Sequence, residues 1–468
     1  MIIMKFGGTS VGSAERIRGV AKIVASERSK QPIVVVSALS QVTNTLVELA
    51  ALAAKGDRAN KIHIGIERLR KIHTDTIFEL QLEPTIMELL MEVVESKLAN
   101  LSEILNSISA LGELTPRGSD LIISFGERLS IHIVAAALTQ NGMPATPIEA
   151  TELIVTDNEF GNAQPKLAIS KRHAKSILQP IVDKGVTPVI TGFIGATSSG
   201  FMTTLGRGGS DYSATIIGYC LDASEVWIWT DVDGVMTADP RCIPSARTIA
   251  QLSYNEAAEL SYFGAKVLHP KTMAPAALSS IPIFIKNTLN PSMIGTVITD
   301  KATVHPNGAK ALTVLSQLSL ISIQGKGMQG EYGTAAKVFG ALADEKINVF
   351  FISQASSENN ISLITDRLDG KRAVSALKLV LTNELRTKKL ESIHEQSNVS
   401  MIAVVGEGMR NHTGIAGRIF MALGNGNINI IAIAQGSSER NISLVVNNAQ
   451  AKDALQCIHD ELQLSVLA

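Results

Sequence analysis

The chain opens on a short apolar run, Ile2-Ile3-Met4, followed at once by Lys5-Phe6-Gly7-Gly8-Thr9-Ser10. From Ala14 onward, Ile17, Val20, Ala21 and Val24 recur at helical spacing. The order is strand, glycine turn, helix. Residues 32–36 (PIVVV) are apolar throughout, and 187–191 and 225–230 read the same way, as strands covered on both faces. Between them, residues 46–111 carry Leu, Ile and Met at helical spacing, with breaks at Gly56, Pro84 and Gly112 and with Thr43-Asn44 as the expected cap. Their charges read as solvated faces, and His63 and His73 are expected on the surface. Strands alternating with helices predict an α/β fold, a mostly parallel sheet sandwiched by helices.

The last third repeats itself. ISIQGKGM at 321 matches IAVVGEGM at 402, and at the same offset of 81 Gly333 meets Gly414, Phe339 meets Phe420 and Asn348 meets Asn429. Gln354-Ala-Ser-Ser-Glu358 likewise meets Gln435-Gly-Ser-Ser-Glu439. Each copy reads strand, Gly-x-Gly turn, helix, strand, turn, strand. The stretch 291–308 (PSMIGTVITDKATVHPNG) reads as the exit from whatever precedes the repeat.

Composition narrows the classes. At 468 residues, two or three domains are expected. The 42 basic and 43 acidic residues balance, and only 4% of residues are aromatic, so neither a polyanion partner nor base stacking is indicated. Three cysteines, odd in number and far apart, read as reduced thiols of a cytoplasmic protein. No apolar run is expected to span a bilayer, which takes about 20 residues.

The chemistry lies in two glycine turns. A lysine at a strand end, adjacent glycines and a following helix N-terminus can hold an anion. Alone, Lys5-Phe6-Gly7-Gly8 is equally a βα turn with a surface lysine. A companion turn, TLGRGGSDYSA at 204–214, supplies Arg207, Ser210 and Asp211 before another helical pattern (Ala214, Ile217, Leu221). Two cations, hydroxyls, backbone donors and a carboxylate suit phosphoryl transfer to a small acid, where positioning and charge neutralisation carry catalysis. Three competing motifs fail. Gly7 and Gly12 have P-loop spacing, but Ser13 stands where lysine is required. Asp231-Val-Asp233-Gly234 suggests a calcium loop, but Trp229 and Pro240 fill its first and twelfth positions. Gly325-Lys-Gly327-Met-Gln-Gly330 matches a dinucleotide turn, but Asn411 replaces the third glycine in the second copy and the next strand ends in Ser-Gln.

KFGGTS at 5–10, SFGERLS at 124–130, TLGRGGSDYSA at 204–214, WTDVDGVMTADPR at 229–241 and ELSYFGAKVLHP at 259–270 resemble the aspartate kinases, a family of the amino-acid-kinase fold. The C-terminal repeat is similar to tandem ACT domains, small βαββ-type units that bind amino acids. The resemblance implies a catalytic domain over 1–300 and a regulatory domain over 301–468, with copies at about 318–395 and 399–468. It implies ATP-dependent phosphorylation of the side-chain carboxylate of L-aspartate, with Mg²⁺ on the ATP phosphates. Lys5 and Asp211 take catalytic roles. Ser37, Thr43, Glu127, Phe193, Arg207 and Ser210 bind the acid, with Arg207 on its α-carboxylate. Read without the family, Glu127 is a carboxylate at a helix N-terminus. Lys5, Gly7, Gly8, Ser10, Thr230, Asp231, Arg241 and Lys266 are implied at the nucleotide; Lys266 read alone is a surface helix lysine. Met236 stands where many relatives have tyrosine, which puts a stacking contact in doubt. Gln354 and Gln435 are the expected contacts of an allosteric amino acid, threonine, as in the threonine-sensitive relatives fused to homoserine dehydrogenase; lysine is the alternative. A homo-oligomer, dimer or tetramer, is expected through the ACT-like units. The rivals are a kinase of the same fold acting on glutamate, carbamate or a nucleoside monophosphate, and a non-catalytic amino-acid sensor.

Overall fold

A computed structural model describes residues 1–56, 60–264, 268–326, 333–354, 359–410 and 412–466. The chain forms two compact units that interleave in sequence. The first comprises Met1–Val235, Ala250–Tyr254 and Leu268–Ala302; the second comprises Met236–Ile249, Asn255–Val267 and Thr303–Ala468. Two segments from before residue 300 therefore belong to the C-terminal unit.

In the first unit, strands β1 (Ile2–Phe6), β2 (Pro32–Val36), β3 (Ala145–Ile148), β5 (Thr187–Thr191), β8 (Glu225–Thr230), β9 (Gln251–Ser253), β10 (Ile283–Asn287) and β11 (Thr296–Thr299) make one sheet. Its order is β3-β5-β2-β1-β8-β10-β11-β9, parallel except between β10 and β11. Strands β4 (Val155–Thr156), β6 (Ile194–Thr197) and β7 (Met202–Thr204) form a small second sheet. The period of two along β1 sorts its side chains between faces. Ile2, Met4 and Phe6 join a large core with helices Ala14–Ser26, Val42–Ala54, Asn60–Leu80, Pro84–Leu111 and Pro116–Gln140. Ile3 and Lys5 face the other way, where helix Gly209–Leu221 packs on β1.

Several expectations are corrected. His73 is fully buried; it falls on the stripe Ile62, Ile66, Leu69, Ile77, Leu80, its Nδ1 is 2.7 Å from the Leu69 carbonyl oxygen, and burial lowers its pKa. Helix Val42–Ala54 starts before Thr43-Asn44, which lie in its first turn rather than capping it. Helix Pro116–Gln140, at 25 residues, is long and apolar enough to cross a membrane by length and composition, but 72% of its apolar window is buried within the protein. Met236 packs against the core of the C-terminal unit, where its sulfur accepts a hydrogen bond from Thr248.

In the second unit, β12 (Ala311–Gln324), β13 (Phe351–Gln354), β14 (Asn360–Asp366), β15 (Ser392–Val405), β16 (Ala432–Gln435) and β17 (Asn441–Asn447) form one antiparallel sheet, order β13-β14-β12-β15-β17-β16. Each element recurs 81 residues later, and each copy adds a closing helix, Gly370–Val380 or Ala451–Glu461, to the expected strand–helix–strand–strand unit. The copies are intertwined. Strands β12 and β15 pair on both sides of a bulge, 311–315 with 401–405 and 318–324 with 392–399, while 318–324 also pairs with β14 and 399–405 with β17. A bulge between Leu315 and Leu318 separates the two halves, with Gln317 at φ 59°. Ser353 Oγ donates to the Ile433 carbonyl at 3.3 Å, so the outer strands of the two copies approach each other within one chain.

Candidate functional site

Parallel strands place ligands beyond their carboxyl ends, where the chain direction switches sides of the sheet. Here β1 has β2 on one side and β8 on the other, and the ladder runs past the strand ends. Ser37 N–H donates to the Phe6 carbonyl at 3.1 Å and Gly192 N–H to that of Val36 at 2.8 Å. Lys5, Ser37-Ala38 and Phe193 are thereby set side by side. They line a cavity of about 740 Å³ with the loop Gly206–Asp211 and one face of helix Pro116–Gln140.

Lys5 is pinned by its place on β1. Its Nζ makes an ion pair with Asp211 Oδ1 at 2.6 Å, from a strand face to the first turn of the helix packed on it. A Cβ at Gly7 would lie 3.4 Å from that Nζ, and one at Gly8 would lie 3.1 Å from the Ala38 carbonyl oxygen. The glycine pair thus keeps the lysine head and the neighbouring strand end clear. The helix N-termini at the cavity are those of Val42–Ala54, through Gln41, Thr43 and Asn44, and Gly209–Leu221, through Gly209, Ser210 and Asp211. The first helix, Ala14–Ser26, contributes no lining residue.

Glu127 lies inside helix Pro116–Gln140, not at an N-terminus. Gly126 makes this possible: a Cβ there would stand 2.7 Å from that of Ala38. Glu127 Oε1 accepts the Ala38 N–H at 3.2 Å, and Oε2 has no hydrogen-bond partner among the described residues. Burial pushes this carboxyl up to about 7, against the opposing pull of the Ala38 N–H and the Lys5 charge. Arg207 has no hydrogen-bond or ion-pair partner among the described residues and is exposed at the cavity. Its turn needs two left-handed residues, Gly206 at φ 79° and Gly208 at φ 68°. Phe193 is also left-handed, at φ 69°, which a bulky residue adopts only under constraint. The constraint is its N–H donating to Ser213 Oγ at 2.9 Å, with its ring against Gly209.

Every residue expected around the acid (Ser37, Thr43, Glu127, Phe193, Arg207, Ser210) lines this one cavity, with Lys5, Gly8 and Asp211. Of the others assigned to the nucleotide, Gly7, Ser10, Thr230 and Asp231 do not line it. Gly7 N–H donates to the Trp229 carbonyl at 3.4 Å, and the buried Ser10 hydroxyl is 2.7 Å from that of Thr288. Thr230 donates to the exposed Asp231 at 3.2 Å. Arg241 lies in the second unit, exposed, paired with Asp239 at 2.6 Å. Lys266 lies outside the described residues. Gln354 and Gln435 end the two outer strands of the second unit, both exposed; residues 355–358 after Gln354 lie outside the described residues. Arg128 turns into an ion pair with Glu149 at 2.9 Å. Sequence reasoning passed over Asp120, which is buried and lines the cavity. Its spacing to Ile123 and Glu127 (i, i+3, i+7) marks one helix face and was the available signal.

Residues 1–287 match the amino acid kinase family, and residues 321–380 and 402–462 each match the ACT domain. The chain is 36% identical over 471 residues to a chloroplastic bifunctional aspartokinase/homoserine dehydrogenase of Daucus carota, matching 99% of this chain and 51% of that protein. It spans about half the length of such relatives. Against the chloroplastic aspartokinase 2 of Arabidopsis thaliana it is 35% identical, over 98% of this chain and 83% of the relative. Among solved structures, E. coli aspartokinase III in complex with aspartate and ADP superposes with a TM-score of 0.80 at 29% identity, covering 99% of this chain and 100% of that one.

Proposed function

The chain belongs to the amino acid kinase family and, within it, to the aspartokinases, and on that premise we propose that it transfers the γ-phosphoryl group of ATP to the side-chain carboxylate of L-aspartate, giving 4-phospho-L-aspartate and ADP. The observation that carries this reading is the pairing, in one cavity, of a desolvated carboxylate and a cation, Glu127 Oε2 and Arg207, neither of which has a partner among the described residues. An amino acid presents the complementary pair. Its ammonium meets Glu127 Oε2, and its α-carboxylate meets the planar fork of Arg207. Lys5, oriented by Asp211, neutralises charge on the phosphoryl group in flight, with the backbone at Gly8 and the hydroxyls of Ser37, Thr43 and Ser210 fixing the acid. The attacking carboxylate is ionised at neutral pH, so no general base is required.

Among the described residues, no group of three or more His, Cys, Asp or Glu side chains is placed to hold a metal ion. A Mg²⁺ carried on the ATP phosphates and completed by water is the form that fits such a lining, and it would spread the phosphate charge. A cytoplasmic setting rests on the free thiols Cys220, Cys242 and Cys457. Hydroxamate trapping of the acyl phosphate tests the reaction. Product from aspartate at a kcat/KM far above that for glutamate, and none from carbamate, is expected, and ATP turnover independent of any acid would overturn it.

Regulation is proposed to run through threonine bound at Gln354 and Gln435, which hold equivalent positions on the outer strands of the two copies. A glutamine amide offers a donor and an acceptor to a hydroxyl ligand. The outer strands leave Ile352 (51%) and Ile433 (41%) exposed, which supports a homo-oligomer through this unit. Titrating activity with threonine, lysine and methionine identifies the effector; inhibition by lysine alone excludes threonine. Light scattering of the protein gives its assembly state.

A further inference from the structure

We propose that Asp120 is a positioning residue that holds the Arg207 loop at a set distance from Glu127, and so determines which length of amino-diacid the cavity accepts. This rests on the aspartate kinase reading above. Asp120 is 2% exposed, and no cation pairs with it among the described residues. Its burial is offset by three donors. Oδ2 accepts the backbone N–H groups of Gly161 and Thr204, both at 2.9 Å, and Oδ1 accepts the Thr204 hydroxyl at 2.7 Å. Gly161 and Thr204 belong to the two segments that meet beneath the turn before Arg207. A Cβ at Gly206 would lie 2.8 Å from Asn162 Oδ1 and 3.2 Å from the Gly161 carbonyl oxygen. Lys271 Nζ fastens the same seat, donating to Asn162 Oδ1 at 2.8 Å and to the Leu205 carbonyl at 3.3 Å.

Among the described residues the Arg207 guanidinium has no hydrogen-bond or ion-pair partner, so its place is inherited from the backbone at 204–206. That backbone is tied to Asp120. Asp120 and Glu127 are two turns apart on one rigid helix, about 10 Å along its axis. The helix thus spans from the group proposed to take the ammonium to the group that places the α-carboxylate cation, and Asp120 is the fixed end of that span.

Three variants test this in the full-length protein: Asp120→Asn, Thr204→Val and Thr204→Ser. In Asp120→Asn the charge that strengthens all three bonds is lost, and the amide N–H₂ faces either the backbone donors or Thr204 Oγ1, whose proton then loses its acceptor. The expected result is a KM for aspartate raised about tenfold, a KM for ATP within about twofold of wild type, and a kcat/KM ratio of aspartate over glutamate lowered about tenfold. Thr204→Val should raise the aspartate KM about threefold, and Thr204→Ser should restore it to within about twofold. A lower melting temperature with both KM values and the aspartate-to-glutamate ratio unchanged overturns the inference, because a mere brace behaves that way. If Asp120→Asn does not fold, the Thr204 pair decides: a valine effect rescued by serine supports the inference, and identical kinetics in both overturn it. A wild type that phosphorylates no amino-diacid overturns the kinase reading together with this inference, whereas an active wild type with unmoved variants overturns this inference alone.

Discussion

Replacing Glu127 by glutamine keeps the side-chain shape and removes its charge. The carboxyl titrates at an ordinary value of 4.5 when the chain is unfolded and at about 7 in the folded protein, because burial disfavours the anion. The folded value is the higher one, so this group's contribution to stability is fully present below 4.5 and is lost as pH rises through 7. At pH 8 the cost of holding the buried anion amounts to ~3 kcal/mol, and ~2.5 kcal/mol of it develops between pH 5 and 8. Glutamine abolishes that slope. Its amide N–H₂ inherits the unpaired position of Oε2, at a cost of ~1–3 kcal/mol that does not vary with pH. The diagnostic quantity is therefore the difference in pH dependence, not absolute stability. Both tryptophans, Trp227 and Trp229, lie in the first unit, so denaturant unfolding followed by their fluorescence at pH 5, 6, 7 and 8 reports this unit. Aspartate should repair the defect that the stability data expose. The wild-type KM for aspartate should fall about tenfold between pH 6 and 8 as the carboxyl ionises, and Glu127→Gln should raise it by roughly 10- to 100-fold and flatten that dependence. Parallel stability–pH curves for the two proteins, or an aspartate KM that follows pH equally in both, would refute the reasoning.

Lys5→Met should lower kcat by about 10²–10³-fold in a folded protein, as for loss of one preorganised charge donor, checked by steady-state kinetics; near-normal kcat would make the Lys5–Asp211 pair structural. Arg207→Lys keeps the charge and loses the fork, so the aspartate KM should rise by ~1.5–3 kcal/mol equivalent while the ATP KM holds. A rise confined to ATP would put Arg207 on the other substrate. Gln354→Ala and Gln435→Ala should each weaken threonine inhibition by roughly 5- to 150-fold and leave uninhibited activity intact, read from inhibitor titrations at fixed aspartate.

The parallel strands were legible because 32–36 is apolar at every position and 187–191 holds Pro188, Val189 and Ile190 between two threonines, the short apolar runs of a sheet covered on both faces. The offset of 81 was legible because each copy must bury the same faces. What the period of two also held, and what was less obvious, is the direction of Lys5. Ile2, Met4 and Phe6 claim the helical core, so Lys5 must point to the opposite face, toward Asp211. The error over His73 was avoidable on the same grounds, since the apolar stripe around it places that position inside. The helix-terminus alternative for Glu127 had a visible antidote as well. Thr115-Pro116 is an N-cap followed by a first-turn proline, with the Thr115 hydroxyl accepting the Gly118 N–H at 3.1 Å, and it starts the helix well before Glu127.

The rest was illegible for a physical reason. Local periodicity fixes which face a residue joins, not which strand lies beside it. The 14 residues of β12 read as one strand, yet only 318–324 pairs with β14 while both sides of the bulge after Leu315 pair with β15. The same limit hid the interleaving of the two units, because segments 236–249 and 255–267 carry no mark of the unit they join. Asp120 shows the limit at the site itself. Along helix Pro116–Gln140 apolar residues are buried on nearly every side, so no polar face announces the cavity. A carboxylate in such a helix is intelligible only through donors at Gly161 and Thr204, 41 and 84 residues away in the chain. The residues that line the cavity from its loops are marked by local motifs, because glycine turns and strand ends are local. The residues that hold those motifs apart at a working distance are marked by nothing local, and there the geometry of the folded chain has to supply the argument.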